Sequence, residues 1–191
     1  NICGAVLETA QYGKGNDIIM LKSDQKYTSY IEVLKSELVP AAGCTEPIAI
    51  AFAAAKAHSV LGKLPEKVVI YVSGNIIKNV KSVVVPNTGG LRGIEAAAAA
   101  GIAAGDASKV LEVIADVDEN GKQRILDFLK LHNIIVRPAD NDLVFDIDLT
   151  VFAGSDSVRI RIIDYHTNIV LIEKNCEVVY APESVTYEKY E

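Results

Sequence analysis

Residues 48–61 are apolar on nearly every side: Ile48, Ile50, Ala51, Phe52, Ala53, Ala54 and Ala55 leave no polar stripe on the helix they predict. Such a helix is stable only when it is surrounded, so the rest of the chain must be built around it. Lys56 and His58 interrupt it too soon for a membrane span. Immediately before it stands Gly43-Cys44-Thr45-Glu46-Pro47. Thr45 is placed to cap the helix, Glu46 complements the positive end of its dipole, and Pro47 is tolerated in the first turn. Cys44 therefore sits at a helix mouth, where the dipole favours the thiolate that ligates metal or attacks a substrate. A small packed thiol beside a capping residue accounts for the same pattern.

The flanking segments give this helix its company. Tyr27, Tyr30, Ile31, Leu34 and Leu38 follow helical spacing, and Pro40 ends that helix. Gly62 closes the buried helix, and 67–72 (Lys-Val-Val-Ile-Tyr-Val) reads as a strand. Residues 73–79 follow as a strand-end loop, Val83-Val84-Val85 as a second β-branched run, and 87–90 as a loop. The Ala-rich stretch 93–104 predicts another buried helix, Asp106 a cap for a short one, and Asn120-Gly121 a turn before an amphipathic helix carrying Ile125, Leu126, Phe128 and Leu129. Beyond it the pattern changes to period two. Phe145, Ile147, Leu149 and Val151 alternate with Asp146, Asp148 and Thr150, and Val158, Ile160 and Ile162 alternate with Arg159 and Arg161. Residues 165–168 form a hairpin turn into 169–172, and 177–180 make a last strand that follows Cys176, read as a packing thiol. One wet face implies antiparallel pairing. The expected class is α+β, with buried Ala-rich helices packed on a mostly antiparallel sheet.

With 191 residues the chain can hold one substantial core. A single domain is expected over 20–191, with 1–19 as an N-terminal segment of little periodicity. The net charge of −6 offers no basic footprint for nucleic acid, and no segment suits a membrane. Three cysteines, at 3, 44 and 176, form neither a disulfide framework nor a metal-type pair, which suits a reducing cytoplasm.

Several residue sets carry possible chemistry. Residues 116–121 match the first half of a calcium loop, but Asp127 stands where that loop needs a longer carboxylate, so helix punctuation explains them better. Gly89-Gly90-Leu91-Arg92-Gly93 opens a helix without the spacing of a phosphate loop. His58, His132 and His166 are scattered. Thr45, Glu46, Asn75, Lys78, Asn79, Asn87 and Thr88 are polar groups at helix and strand ends that suit recognition of a small amino acid, and suit ordinary turn chemistry equally.

Four runs together, namely 43–51, 73–80, 85–90 and 93–97, resemble the N-terminal half of the L-cysteine desulfidase family, which is related to the iron–sulfur L-serine dehydratases. The similarity covers about Met20 to Tyr180, and Cys-Thr-Glu-Pro is its most specific part. The resemblance implies a [4Fe–4S] lyase that converts L-cysteine to pyruvate, ammonia and sulfide (or L-serine with loss of water), with Cys44 as a cluster ligand. It also implies that the other ligands come from a helical C-terminal half, in the same polypeptide or a partner chain, and that this chain alone is inactive. A homo-oligomer is compatible with it. A different expectation from the same residues is an amino-acid-binding regulatory or accessory domain without activity of its own.

Overall fold

The computed structural model describes residues 22–37, 41 and 43–182. Two compact units divide the chain, Asn1–Val39 and Pro40–Glu191. The first contains α1 (Gln25–Glu37), whose Ser29 hydroxyl donates back to the Gln25 carbonyl. The sequence boundary at 19/20, Cys3, and the predicted helix end at Leu38 and Pro40 lie outside the described residues.

The second unit is an α+β fold around the helix that the sequence demanded. That helix, α2 (Thr45–Leu61), buries eleven residues and ends at Gly62, which adopts the left-handed φ of 77° and donates its amide to His58. Strand β1 (Lys67–Val72) leads to a short helix α3 (Gly74–Val80), then α4 (Gly93–Ala104), a 3-10 turn (Ala107–Glu112) and α5 (Glu119–Leu131). Strands β2 (Asn133–Pro138), β3 (Asp146–Ala153), β4 (Asp156–Ile163), β5 (Ile169–Lys174) and β6 (Glu177–Tyr180) follow. The sheet order is β2-β1-β3-β4-β5-β6. Only β1 and β2 are parallel; every other pair is antiparallel.

Register explains the core. Val68, Ile70 and Val72 face Val151, Leu149 and Ile147, which in turn face Val158, Ile160 and Ile162. All nine are fully buried. They form one apolar surface, and α2 packs on β3 and β4 there. Helix α4 lies against α2, and α5 packs on α4. The closest approach is at Gly101, where a Cβ would stand 2.1 Å from the Ala51 carbonyl oxygen.

The opposite face of the sheet is charged and ordered. Arg159 donates to both oxygens of Asp148 and to Glu173, while Arg161 donates to both oxygens of the buried Asp146. Asn141 adds a third bond to Asp146, at 2.7 Å.

Four local expectations are corrected. Residues 74–80 are a helix rather than a loop, anchored by the buried Ile76 and Val80. Val83–Val85 is not a strand: only Val84 makes a bridge, to Arg92. Asn120 and Gly121 are inside the first turn of α5, where the Asp118 carboxylate accepts from the Gly121 amide at 2.7 Å and caps the helix. Cys176 is an exposed residue in the β5–β6 hairpin rather than a packed strand thiol. Asn175 and Cys176 have φ values of 53° and 67°, the two left-handed residues that a tight hairpin turn requires.

Candidate functional site

The site is built at the start of α2. Gly43 passes so close to Pro86 that a Cβ would lie 2.5 Å from the proline ring, so glycine is what allows the chain to enter the helix here. This contact sets Cys44 beside the 86–90 loop. Cys44, rather than Thr45, occupies the N-cap position, and its side chain makes no capping bond to the helix amides. Its thiol donates instead to Glu46 Oε2 at 3.2 Å. The other carboxylate oxygen, Oε1, accepts from Asn79 Nδ2 at 3.3 Å. Both oxygens of Glu46 are thus held, one by the thiol and one by an amide from α3.

His166, from the β4–β5 turn, approaches from the other side. Its half-buried ring lies edge-on to Phe145, with centroids 4.7 Å apart, and its charge acts on Glu46. The sequence places His166 in a turn and among three scattered histidines. The β3–β4 register, Asp146 opposite Ile163, places the turn after β4, which carries His166, beside Phe145 at the start of β3.

The electrostatics correct the expectation of a dipole-stabilised thiolate. Burial, the hydrogen bond to Glu46 and the negative charge of that carboxylate raise the Cys44 pKa above the ordinary thiol value, against the opposing pull of the Glu46 and Thr45 amides. The free thiol is the resting form at neutral pH. Burial works to raise the Glu46 pKa, but the bonds from Cys44, its own amide and Asn79, with the charge of His166, bring it below the usual carboxylate range. Burial lowers His166, with Glu46 opposing, so the imidazole is held toward its neutral form.

These directions give a measurable consequence. Glu46→Gln removes the charge that holds the thiol proton, so the Cys44 pKa should fall and its iodoacetamide alkylation at pH 8 should accelerate by roughly threefold or more. Mass spectrometry of the Cys44 and Cys176 peptides separates the two thiols that are exposed among the described residues. An unchanged pH profile for Cys44 would mean that Glu46 does not control it.

The remaining candidates divide. Asn75 and Lys78 are exposed on α3; Asn75 stands one turn before Asn79 on the same helical face, and Lys78 directly precedes Asn79. Thr45 is half-buried in the first turn of α2. Asn87, at a left-handed φ of 57°, donates to the Ile114 and Ala115 carbonyls at 3.0 and 3.1 Å. The buried Thr88 donates to Val85 O at 2.7 Å. Asn87 and Thr88 therefore tie their own loop and offer little to a ligand. Ser73, one of the strand-end polar groups that suit either ligand recognition or turn chemistry, donates to Val144 O at 2.9 Å and joins the start of α3 to the run-in of β3.

Among the described residues no three of His, Cys, Asp and Glu converge as a metal-binding group. Lys174, just before the Cys176 hairpin, donates to Val60 at the far end of α2. A helix of 17 residues separates that end from Cys44 by roughly 25 Å, so the two thiols cannot share a cluster.

No family model matches the chain, and no solved structure matches it. It is 57% identical over 163 residues to a UPF0597 protein of Desulfitobacterium hafniense, covering 85% of this chain and 38% of the relative. It is 44% identical over 155 residues to one from Treponema denticola (81% and 36%) and 46% identical over 171 residues to one from Finegoldia magna (85% and 40%). The chain thus spans no more than 40% of the length of these three relatives. The likeness is to UPF0597 proteins, a designation that names no activity. This corrects the resemblance to L-cysteine desulfidases and iron–sulfur serine dehydratases, to which none of these matches gives a link. The reason is physical as well: Cys-Thr-Glu-Pro is a helix start and Asn-Thr-Gly-Gly a tied loop, and such short runs recur wherever the local backbone needs them.

Proposed function

We propose that this chain is part of a lyase that takes a small β-substituted amino acid, L-cysteine or L-serine, to pyruvate, ammonia and sulfide or water. The observation that supports this reading is the Cys44–Glu46–Asn79 constellation at the mouth of a buried helix, with His166 in electrostatic reach of Glu46. Elimination needs a group to take the α-proton and a site that receives the departing β-substituent with the electron pair of its bond. The product, 2-aminoacrylate, becomes an imine that water hydrolyses to pyruvate and ammonia.

This chain's residues fit the proton-handling part. Glu46 is ionised at neutral pH, and its Oε2 already accepts a proton donor. Asn79 fixes the second oxygen and so the direction of the carboxylate. The helix start and Lys78 offer positive potential to a substrate carboxylate. Cys44 fits as one thiolate ligand of a [4Fe–4S] cluster, being exposed at a helix start with amides near its sulfur. The further ligands would come from outside the described residues, in the same polypeptide or a partner chain. Such a cluster, when bound, supplies a Lewis-acidic iron. A cytoplasmic setting suits the free thiol.

The resting protonated thiol favours a second reading, an amino-acid-binding domain with no catalysis of its own. The two are separated with the longest open reading frame that encodes this chain, purified without oxygen. The lyase reading expects equimolar sulfide and pyruvate from L-cysteine, and loss of both bound iron and turnover in Cys44→Ala. Saturable L-cysteine binding without products, and normal behaviour of Cys44→Ala, would favour the binding domain. Neither binding nor turnover of L-cysteine or L-serine would overturn both.

A further inference from the structure

Beside His166 lies a cavity of about 350 Å³ lined by Val144, Phe145, Asp164 and Tyr165. Its volume is at the lower end of what small-molecule sites use. One wall is the β4–β5 turn, and that turn is firmly held. Asp164 N–H donates to Phe145 O at 3.1 Å, Tyr165 N–H to Ile163 O at 2.7 Å, and the Asn168 amide and side chain to Tyr165 O and Ile163 O, each at 3.0 Å. Asp164 has a left-handed φ of 65°, a conformation set by these bonds. The facing wall is Phe145, braced by the ring of His166.

The chemistry of the lining is selective. Asp164 contributes a carboxylate that forms no hydrogen bond or ion pair with the described residues. Val144 and Tyr165 keep 73% and 53% of their surface open, unusual for two large side chains in one small recess. Among the described residues no Lys or Arg lines the cavity, so an anion finds no partner from them there. A purely apolar guest would leave the carboxylate unanswered. A primary ammonium carried on a short apolar stem answers both features: Asp164 takes the charge, and the faces of Phe145 and Tyr165 attract a cation while covering the stem.

We propose that this cavity, next to His166, is the ammonium subsite for the amino acid. It rests on the amino-acid reading of the site above. Asp164 discriminates an amino acid from a keto or hydroxy acid of the same length, because only the former brings a positive charge.

The test uses ethylammonium chloride on this chain, with sodium chloride at equal ionic strength as the reference, read by amide NMR shifts of Asp164, Tyr165 and His166. Saturable shifts are expected with ethylammonium and not with sodium. Asp164→Asn should weaken binding on the order of tenfold, the loss of a charge-assisted contact. Asp164→Gly serves as the second variant, since glycine keeps the left-handed turn without the carboxylate. In the catalytically competent protein both variants should raise KM for L-cysteine by a similar factor with kcat largely kept. Ethylammonium shifts in a protein that turns nothing over would uphold the subsite and remove the lyase reading. Turnover with unchanged KM in both variants, or an absence of saturable shifts, would overturn the subsite.

Discussion

Gly101→Ala should lower stability by about 2 kcal/mol or more and reduce Tm by roughly 6 °C, measured by thermal or urea unfolding. The new Cβ would fall 2.1 Å from Ala51 O and 2.8 and 2.9 Å from the Ala51 carbonyl carbon and Cα. These are backbone atoms of α2, so no rotamer change relieves the clash. The two helices have to separate, and the fully buried alanines around the contact lose packing together. Alanine's better helix propensity, about 1 kcal/mol over glycine, offsets only part of this. Gly74→Ala is the control, because a Cβ there meets nothing within 4 Å. It should be neutral or slightly stabilising. A Gly101→Ala protein as stable as the Gly74→Ala one would mean that α2 and α4 do not touch at this point.

Arg161→Leu should cost about 3 kcal/mol, because it leaves the Asp146 carboxylate, 1% exposed, with Asn141 as its remaining side-chain donor. A carboxylate without its cation in so dry a place is the expensive state, not the absence of the pair as such. Replacing Asp146 and Arg161 together by leucine should therefore recover most of the loss. The neighbouring pair is a built-in contrast. Asp148 and Arg159 keep 17% and 39% of their side-chain surface, and water screens what remains, so Arg159→Leu should cost about 1 kcal/mol. Equal losses for Arg159→Leu and Arg161→Leu would show that burial of Asp146 does not matter. A double-leucine protein no better than Arg161→Leu alone would show that the loss comes from packing rather than charge.

What the sequence disclosed depended on how far each signal reached along the chain. The all-round apolar runs of α2 and α4 and the period-two pattern of β3 and β4 are long enough to be unambiguous, and all four elements form. Helix α3 was hidden because seven residues opening with Gly74-Asn75 look like a turn, and because Ile76 and Ile77 favour strands as much as helices. Its helical state comes from burying Ile76 and Val80 against the rest of the fold. Val83–Val85 shows the converse: β-branched residues suggest a strand, but Pro86 and the Asn87 turn leave room for a single bridge. Edge strand β2 was missed despite the β-branched Ile134, Ile135 and Val136, because it is short, half-exposed and ended by Pro138. At the site, Cys44 and Glu46 were legible because they stand two positions apart in one short run. Their effect on each other was not, since the dipole argument left out the carboxylate 3.2 Å from the thiol. Asn79 and His166 meet Glu46 only through the tertiary fold, and no spacing rule connects positions so far apart.

The placement of β1 between β2 and β3 also governs when the molecule can form. As a nascent chain leaves the ribosome, β1 emerges well before either partner, since its parallel neighbour is Asn133–Pro138 and its antiparallel neighbour Asp146–Ala153. Until those segments are made, the apolar flanks of α2 and α4 have no sheet to cover them. Closing such distant pairings is slow, because chain entropy must be lost before any contact rewards it. The segment made before β3 thus contains the two most apolar helices of the described residues, with no sheet yet to rest on. In that interval the exposed apolar surface is the part of the fold most open to aggregation.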